Sequence, residues 1–220
     1  MSALDDFDLV IFDCDGVVVD SELLSCGCLA ETFNKHDVAM HRDEAIELFV
    51  GRSIAAVEAY WRDTLRRAPP ASFFADYRER LAAVFTGHLK PMPLAGEVLA
   101  RLPRPYCLAS SSELERIRLA LSITQLDSYF AGRIFNAAMV SNGKPAPDLF
   151  LLAAREMKQQ PQRALVIEDS VSGVRGGKAA AMTVWGFVGG SHCRGRDAAS
   201  TLTAAGADHI FESLEELLPQ

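Results

Sequence analysis

The sequence predicts an α/β protein: a parallel sheet covered by helices on both faces, with a helical segment inserted after the first strand. Three observations carry that prediction. Short apolar runs that stop abruptly at polar residues recur along the chain. Helical patterns alternate with those runs, as a parallel sheet with covering helices requires. The stretch from Ser21 to about Lys90 breaks the alternation and contains no convincing strand.

Taken in order, Asp8-Leu9-Val10-Ile11-Phe12 is a β-branched-rich run that stops at Asp13, and it reads as a buried strand. In the following stretch Cys26, Leu29 and Phe33 form one apolar stripe. Ile54, Val57, Trp61 and Leu65 form a second, and Phe74, Tyr77, Leu81, Val84 and His88 a third. Each describes one buried helix face. Pro69-Pro70 breaks two of these helices, and Pro91 and Pro93 end the segment. Alternation then resumes. Tyr106–Ala109 stops at Ser110, and a helix from a Ser112 cap to about Ser122 follows. Arg133–Asn136 is a weaker strand, and Asp148–Met157 is helical. Ala164–Ile167 stops at Glu168-Asp169 ahead of an Ala-rich helix over Ser170–Met182. Thr183–Phe187 stops at a Gly pair, and His209–Phe211 is a short final strand.

The composition narrows the function classes. In 220 residues Lys plus Arg number 22 and Asp plus Glu 29, so the formal charge is 22 − 29 = −7. An acidic chain lacks the basic face that a nucleic-acid binder uses to neutralise phosphates. At 49% apolar and 23% charged residues the chain is not disordered. No window approaches 18 uninterrupted apolar residues, so no membrane span is expected. The start lacks a basic stretch followed by an apolar one, so no signal peptide is expected. Five cysteines without framework spacing fit a reducing cytosol, and the expected location is cytoplasmic.

Ligands of open α/β sheets bind beyond the carboxyl ends of the strands. Three strands deliver polar groups to that edge: Asp13 with Asp15, Ser110, and Glu168 with Asp169. Such a crowd of carboxylates repels itself unless a cation sits among them. Hard oxygen ligands suit Mg²⁺, which usually takes one or two carboxylates plus substrate phosphate. Lys144, in a loop stiffened by Pro145 and Pro147, is the cation expected nearby. In an extended segment Asp13 and Asp15 point the same way. They can then divide the work, one attacking and binding metal, the other exchanging a proton with the leaving group.

Four segments together resemble the haloacid dehalogenase (HAD) superfamily. Phe12-Asp13-Cys14-Asp15-Gly16-Val17-Val18-Val19-Asp20-Ser21 is similar to its first motif and Ala109-Ser110-Ser111-Ser112 to its second. Gly143-Lys144-Pro145-Ala146-Pro147-Asp148 is similar to its third, and Ile167-Glu168-Asp169-Ser170-Val171-Ser172-Gly173-Val174 to its fourth. They occur in the right order, with the helical segment between the first and second, and the resemblance runs over essentially the whole chain. It is strongest to the β-phosphoglucomutase-like branch. The resemblance implies a Rossmann-like three-layer core over residues 1–20 and 91–220, and a helical cap over 21–90. It implies a Mg²⁺-dependent phosphatase acting on a small phosphorylated metabolite, a sugar or sugar-acid phosphate. Asp13 would be the phosphoryl-accepting nucleophile, and Asp15 the acid and base. Ser110 and Ser111 would hold phosphate oxygens, and Lys144 would pair with Asp13 and the phosphoryl group. Metal would be held by Asp13, Asp15 through its carbonyl, and Asp169, with Glu168 helping.

The alternative is a sugar-phosphate mutase. The family mutase carries a His where this chain has Ser25 and an Arg where it has Ile54, and both departures weigh against that activity. A dehalogenase lacks an acid at the Asp15 position, and a silent scaffold would have lost a motif residue. Arg52, between two helices of the insert, is the specificity candidate. Ser112 and Asp148 are expected as helix caps, and Asp20 and Ser21 as a hinge. Cys26 and Cys28 are expected in core packing, and His192-Cys193 after Gly189-Gly190 as a loop pair. Ser172–Lys178 is not a P-loop, because Ser172 and Ala179 occupy two of its signature positions. Oligomeric state is open.

Overall fold

The computed structural model describes residues 4–218. Six strands form one sheet: β1 (Leu9–Phe12), β2 (Tyr106–Ser110), β3 (Ile134–Asn136), β4 (Ala164–Glu168), β5 (Thr183–Phe187) and β6 (His209–Phe211). Every neighbouring pair is parallel, in the order β3-β2-β1-β4-β5-β6. The expected strands all form. Alternation along β1 splits its side chains between two cores. Val10 and Phe12 join one that includes Leu108, Leu165 and Ile167, and Leu9 and Ile11 join the other with Cys107, Ala109 and Val166. With both faces covered, these strands have no polar side, which is why they read as continuous apolar runs.

Helices α1 (Glu22–Lys35), α2 (Arg42–Phe49), α3 (Ile54–Ala59) and α4 (Phe73–His88) lie between β1 and β2. α5 (Ala95–Arg101) and α6 (Leu114–Ile123) bury Val98, Leu99, Ile117 and Leu121 in the first core. α7 (Asp148–Glu156), α8 (Val171–Ala179) and α9 (Ala198–Ala205) bury Leu149, Phe150, Val174 and Leu202 in the second. The result is helix, sheet, helix. Among the described residues no helix is long and apolar enough to cross a membrane.

The chain leaves the sheet and returns to it at one place. Asp20 N–H donates to Lys90 O at 3.0 Å, and Met92 N–H donates to Val18 O at 2.9 Å. The inserted helices close on Phe33, whose ring centroid lies 4.9 Å from Phe73, 5.5 Å from Trp61 and 6.0 Å from Phe49. Truncating a buried aromatic of this kind costs about 3–5 kcal/mol.

Several local expectations need correction. On α4 the buried stripe is Phe73, Tyr77, Leu81 and Phe85, four residues apart, whereas His88 is exposed. Phe74 and Val84 flank that stripe at the edge of the core. The helix carrying Ile54 and Val57 passes at Tyr60 into a wider π-helical turn, which carries the fully buried Trp61. α6 begins at Leu114, without a side-chain cap from Ser112. α7 is entered from Pro147, and Asp148 accepts a hydrogen bond from Asn142 instead of capping.

Candidate active site

The order of the strands reverses around β1, so the ends of β2, β1 and β4 open onto one crevice. Asp13 follows β1 directly, and its N–H donates to Ile167 O at 3.0 Å, which fixes it beside the end of β4. Ser110 is the last residue of β2 and Glu168 the last of β4. All three are buried, as are Asp15 and Asp169.

Lys144 reaches this crevice from the loop before α7. Its Nζ donates to Asp13 Oδ1 at 2.6 Å, to Glu168 Oε1 at 2.5 Å and to Ala109 O at 2.9 Å. All three ammonium donors are therefore used. Burial disfavours the lysine's charge, but the Asp13 and Glu168 carboxylates outweigh it and hold the ammonium strongly protonated. Burial pushes the Asp13 carboxyl well above the usual carboxylate range. Lys144 opposes that rise, and the charges of Glu168, Asp169 and Asp15 add to it.

Asp15 is held by a different set of groups. Its Oδ1 accepts from Ser21 Oγ at 2.6 Å and from Arg116 Nη2 at 2.6 Å, and its Oδ2 accepts from Ser112 Oγ at 2.6 Å. Burial raises its pKa, yet Arg116 and the two hydroxyls bring it below the ordinary Asp value. The same guanidinium donates to Ser25 Oγ at 2.9 Å and to Tyr77 Oη at 3.4 Å. Arg116 thus ties α6 to α1 and α4 of the insert.

The residues present fit a divalent cation. Asp13, Glu168 and Asp169 each offer an oxygen, and these oxygens lie within 4.8 Å of one another. Both Asp169 oxygens are buried without a hydrogen-bond partner, an expensive state for a carboxylate unless a cation completes it. Nearby, His192 Nε2 stands 3.1 Å from Asp169 Oδ2, an ion-pair distance outside hydrogen-bond alignment. Burial would lower the imidazole pKa, but Asp169 and Cys193 beside it push it up to about 11. Gly16, at φ +78°, makes the cradle possible, because a Cβ there would overlap the Asp169 carboxylate. Glu168 is less free than Asp169. Lys144 takes one of its oxygens, and Ser170 N–H and Oγ take the other.

The helical insert roofs the crevice. Gly51, in the loop between α2 and α3, presses against Ser170 so closely that a Cβ would collide with it. Its carbonyl accepts from Ser172 Oγ at 2.8 Å and from Ser111 Oγ at 3.4 Å, and its N–H donates to Glu22 Oε1 at 3.2 Å. Beneath this contact lies a cavity of about 240 Å³ whose lining includes Asp13, Asp15, Ser110, Glu22 and Arg116. Glu22 is buried, and desolvation, helped by the charges of Asp15 and Asp169, pushes its pKa up to about 7. Arg52 is exposed beside this cavity.

Residues 7–181 match the family model described as haloacid dehalogenase-like hydrolase. The chain belongs to that family. It is 26% identical over 187 residues to the 6-phosphogluconate phosphatase of Escherichia coli K12, covering 83% of each chain. It is 30% identical over 188 residues to the phosphorylated carbohydrates phosphatase of Thermotoga maritima, covering 81% of this chain and 84% of that one. Among solved structures, CbbY from Rhodobacter sphaeroides in complex with phosphate superposes with a TM-score of 0.78 at 25% identity, covering 96% of each chain. This HAD-like hydrolase has phosphatases as relatives and lies with the β-phosphoglucomutase-like and CbbY branch.

The fold gathers Asp13, Asp15, Lys144, Ser110, Glu168 and Asp169 at one crevice, as the motifs anticipated. Ser111 faces Gly51 of the insert, and Arg52 stands at the rim. Two expectations change. Ser112 and Ser21, expected as a cap and a hinge, both spend their hydroxyls on Asp15. His192 and Cys193, read as a loop pair, are buried in a short turn behind Asp169. The helix after Asp169 is capped by Ser170, whose Oγ accepts from Gly173 N–H, which leaves the Asp169 carboxylate free of a capping role. Asp20 is pinned by Ser191, whose N–H and Oγ both donate to it. Arg116, Glu22 and Ser25 were missed by sequence reasoning. Their only signal is polar side chains set into otherwise apolar helix faces, which is a weak one.

Proposed function

We propose that this hydrolase is a Mg²⁺-dependent phosphatase of a small phosphorylated metabolite, working through an aspartyl phosphate on Asp13. One observation carries the reading: Asp13, ion-paired to the buried Lys144 at 2.6 Å and grouped with the unsatisfied Asp169, sits in the wall of the cavity beneath the insert. The segment 21–90 acts as a cap over a core made of 1–20 and 91–220. The names of the relatives support substrates in the sugar and sugar-acid phosphate range.

In the first half-reaction an Asp13 carboxylate oxygen attacks phosphorus, the ester P–O bond breaks, and Asp15 gives its proton to the departing oxygen. In the second, Asp15 takes a proton from water, whose oxygen attacks the aspartyl phosphate and returns Asp13 with inorganic phosphate. Arg116 keeps Asp15 ionised in the free protein. An incoming phosphate dianion raises the carboxyl pKa, so Asp15 acquires its proton when substrate is in place. Ser110 and Ser111 hold phosphoryl oxygens, and Lys144 stays on Asp13 and the transferring group. Asp13, the Asp15 carbonyl and Asp169, with Glu168 beside them, would hold Mg²⁺, which would supply the charge neutralisation that lets two anions meet. The cap excludes bulk water. Ser25 and Ile54, in place of the mutase's His and Arg, support hydrolysis over mutase chemistry.

The test is phosphate release from a chromogenic phosphate ester, with and without Mg²⁺. Turnover should require the ion and vanish in Asp13→Asn. Wild-type rates in that variant would remove the mechanism.

A further inference from the structure

The hydrogen bonds around Asp15 distinguish its two oxygens. A carboxylate offers about four acceptor sites, two on each oxygen. Ser21 Oγ and Arg116 Nη2, both at 2.6 Å, take the two on Oδ1. Ser112 Oγ, also at 2.6 Å, takes one of the two on Oδ2. The one site left is therefore on Oδ2. Donors at both ends of the carboxylate restrain its rotation about the Cβ–Cγ bond more tightly than donors at one end, so the remaining lone pair keeps a fixed direction.

Ser112 is itself held by its backbone. Its N–H donates to Ser110 Oγ at 3.1 Å, and its carbonyl accepts from Asn136 Nδ2 at 3.3 Å. Asn136 is the buried last residue of β3 and lies opposite Ser110 in the register of β2 and β3. The sheet thus sets the Ser112 backbone, and the Ser112 hydroxyl sets Oδ2. Because the Ser112 N–H fills an acceptor site on Ser110 Oγ, the Ser110 hydroxyl keeps its own hydrogen for an anion. Ser111, between them, turns to Gly51 of the insert instead. One residue therefore touches both the hydroxyl assigned to the phosphoryl oxygens and the carboxyl assigned to proton exchange.

We infer that Asp15 exchanges its proton through Oδ2 and that Ser112 is the positioning residue that aims it. The inference rests on the phosphatase reading of the site and adds to it the oxygen that acts and the side chain that places it. As an Asp13 oxygen bonds to phosphorus, the P–O bond to the leaving group breaks, and the proton on Oδ2 passes to the departing oxygen. Oδ2 is left with the negative charge. The Ser112 hydroxyl on its other lone pair then donates to a charged acceptor, and that hydrogen bond strengthens as the charge develops. Ser112 thereby favours the transition state over the ground state.

Leaving groups of graded basicity test this. An aliphatic alkoxide needs a proton as it departs, phenolate needs one less, and p-nitrophenolate departs without one. With Mg²⁺ present, kcat/KM is measured for n-propyl, phenyl and p-nitrophenyl phosphate. Ser112→Ala, at a partly exposed position, should lower the propyl value about tenfold, the phenyl value less, and the p-nitrophenyl value by less than about threefold. Ser112→Thr, which keeps a hydroxyl, should stay within about threefold of wild type on all three. Equal losses on the three esters in Ser112→Ala, no loss on any, or the Ala pattern in Ser112→Thr would overturn the inference. The wild type separates the two levels of failure. If it hydrolyses these esters with Mg²⁺ while Ser112→Ala shows no dependence on the leaving group, the phosphatase reading stands and the assignment of Oδ2 and Ser112 falls. If it releases phosphate from none of them, the phosphatase reading falls and takes the inference with it.

Discussion

The strand-end cluster and the wall of the insert face each other across one cavity, yet they are organised in opposite ways. At the strand ends the groups lie close together and are charged: Asp13, Glu168 and Asp169 around Lys144, and Asp15 beneath Arg116. Each group's ionisation depends on its neighbours. Across the cavity, the insert presents hydrocarbon from several helices, with Ser25, Tyr77 and Glu22 near Asp15 and the polar side chains of Arg52, Ser53 and Arg78 elsewhere in the lining. On the proposed reading the chemistry belongs to the strand ends, and the choice of leaving group to helices packed on Phe33 and Trp61. Changes on the first side should cost orders of magnitude in rate or several kcal/mol. Changes on the second should alter preference among substrates.

Asp15→Asn breaks the contrast most sharply. It removes the proton-exchanging group while its isostere can still accept from Ser21 and donate its NH2 to Ser112 Oγ, so kcat should fall about 10²- to 10⁴-fold with the fold intact. Circular dichroism beside steady-state kinetics checks both halves of that statement. A loss below tenfold would mean that Asp15 does no proton transfer. Next comes Lys144→Ala, which strands Asp13 and Glu168 as buried anions. Breaking a buried pair in this way costs about 3–5 kcal/mol, read as a drop in the urea midpoint of metal-free protein.

Glu22 sharpens the comparison, because it is the charged group that the insert lends to the cluster. Its folded pKa of about 7 lies above the 4.5 of an exposed Glu. Between those values the unfolded chain has released the proton that the native state keeps, so the wild type loses stability as pH rises through this window. Glu22→Gln can still accept from Gly51 N–H and removes that loss. Its stability relative to wild type should grow by up to about 3 kcal/mol from pH 4.5 to 8 in EDTA. Parallel stability curves for the two proteins would show that Glu22 titrates alike in the native and unfolded states, against the raised pKa. The smallest effect belongs to the rim. Arg78 and Glu113 are about half exposed, so Arg78→Ala should change stability by less than about 1 kcal/mol.

Much of the first region was legible in the sequence, and little of the second was. A buried parallel strand must be apolar and must end where the sheet ends, so the polar residues after Phe12, Ala109 and Ile167 mark one edge in space through their pattern alone. Lys144 was placed by its motif. Arg116 and Ser25 could not be placed. They lie 91 residues apart and meet only because α1, α4 and α6 converge, and nothing local in either helix encodes that crossing. The stripe on α4 was misread for a related reason. Phe73 and Phe74 are both aromatic, and only the packing against Phe33 decides which one turns inward. Ser112 precedes a helix and so resembles a cap, but the charge of Asp15 competes for its hydroxyl and wins.

The most direct measurement traps the covalent step. The protein is mixed with Mg²⁺ and acetyl phosphate, quenched in acid within its turnover time, reduced with borohydride and digested. Reduction converts a phosphorylated aspartate to homoserine, which mass spectrometry locates. The predicted result is homoserine at residue 13 alone, absent in Asp13→Asn. Modification at another residue, or full turnover with residue 13 unmodified at every quench time, would contradict the account.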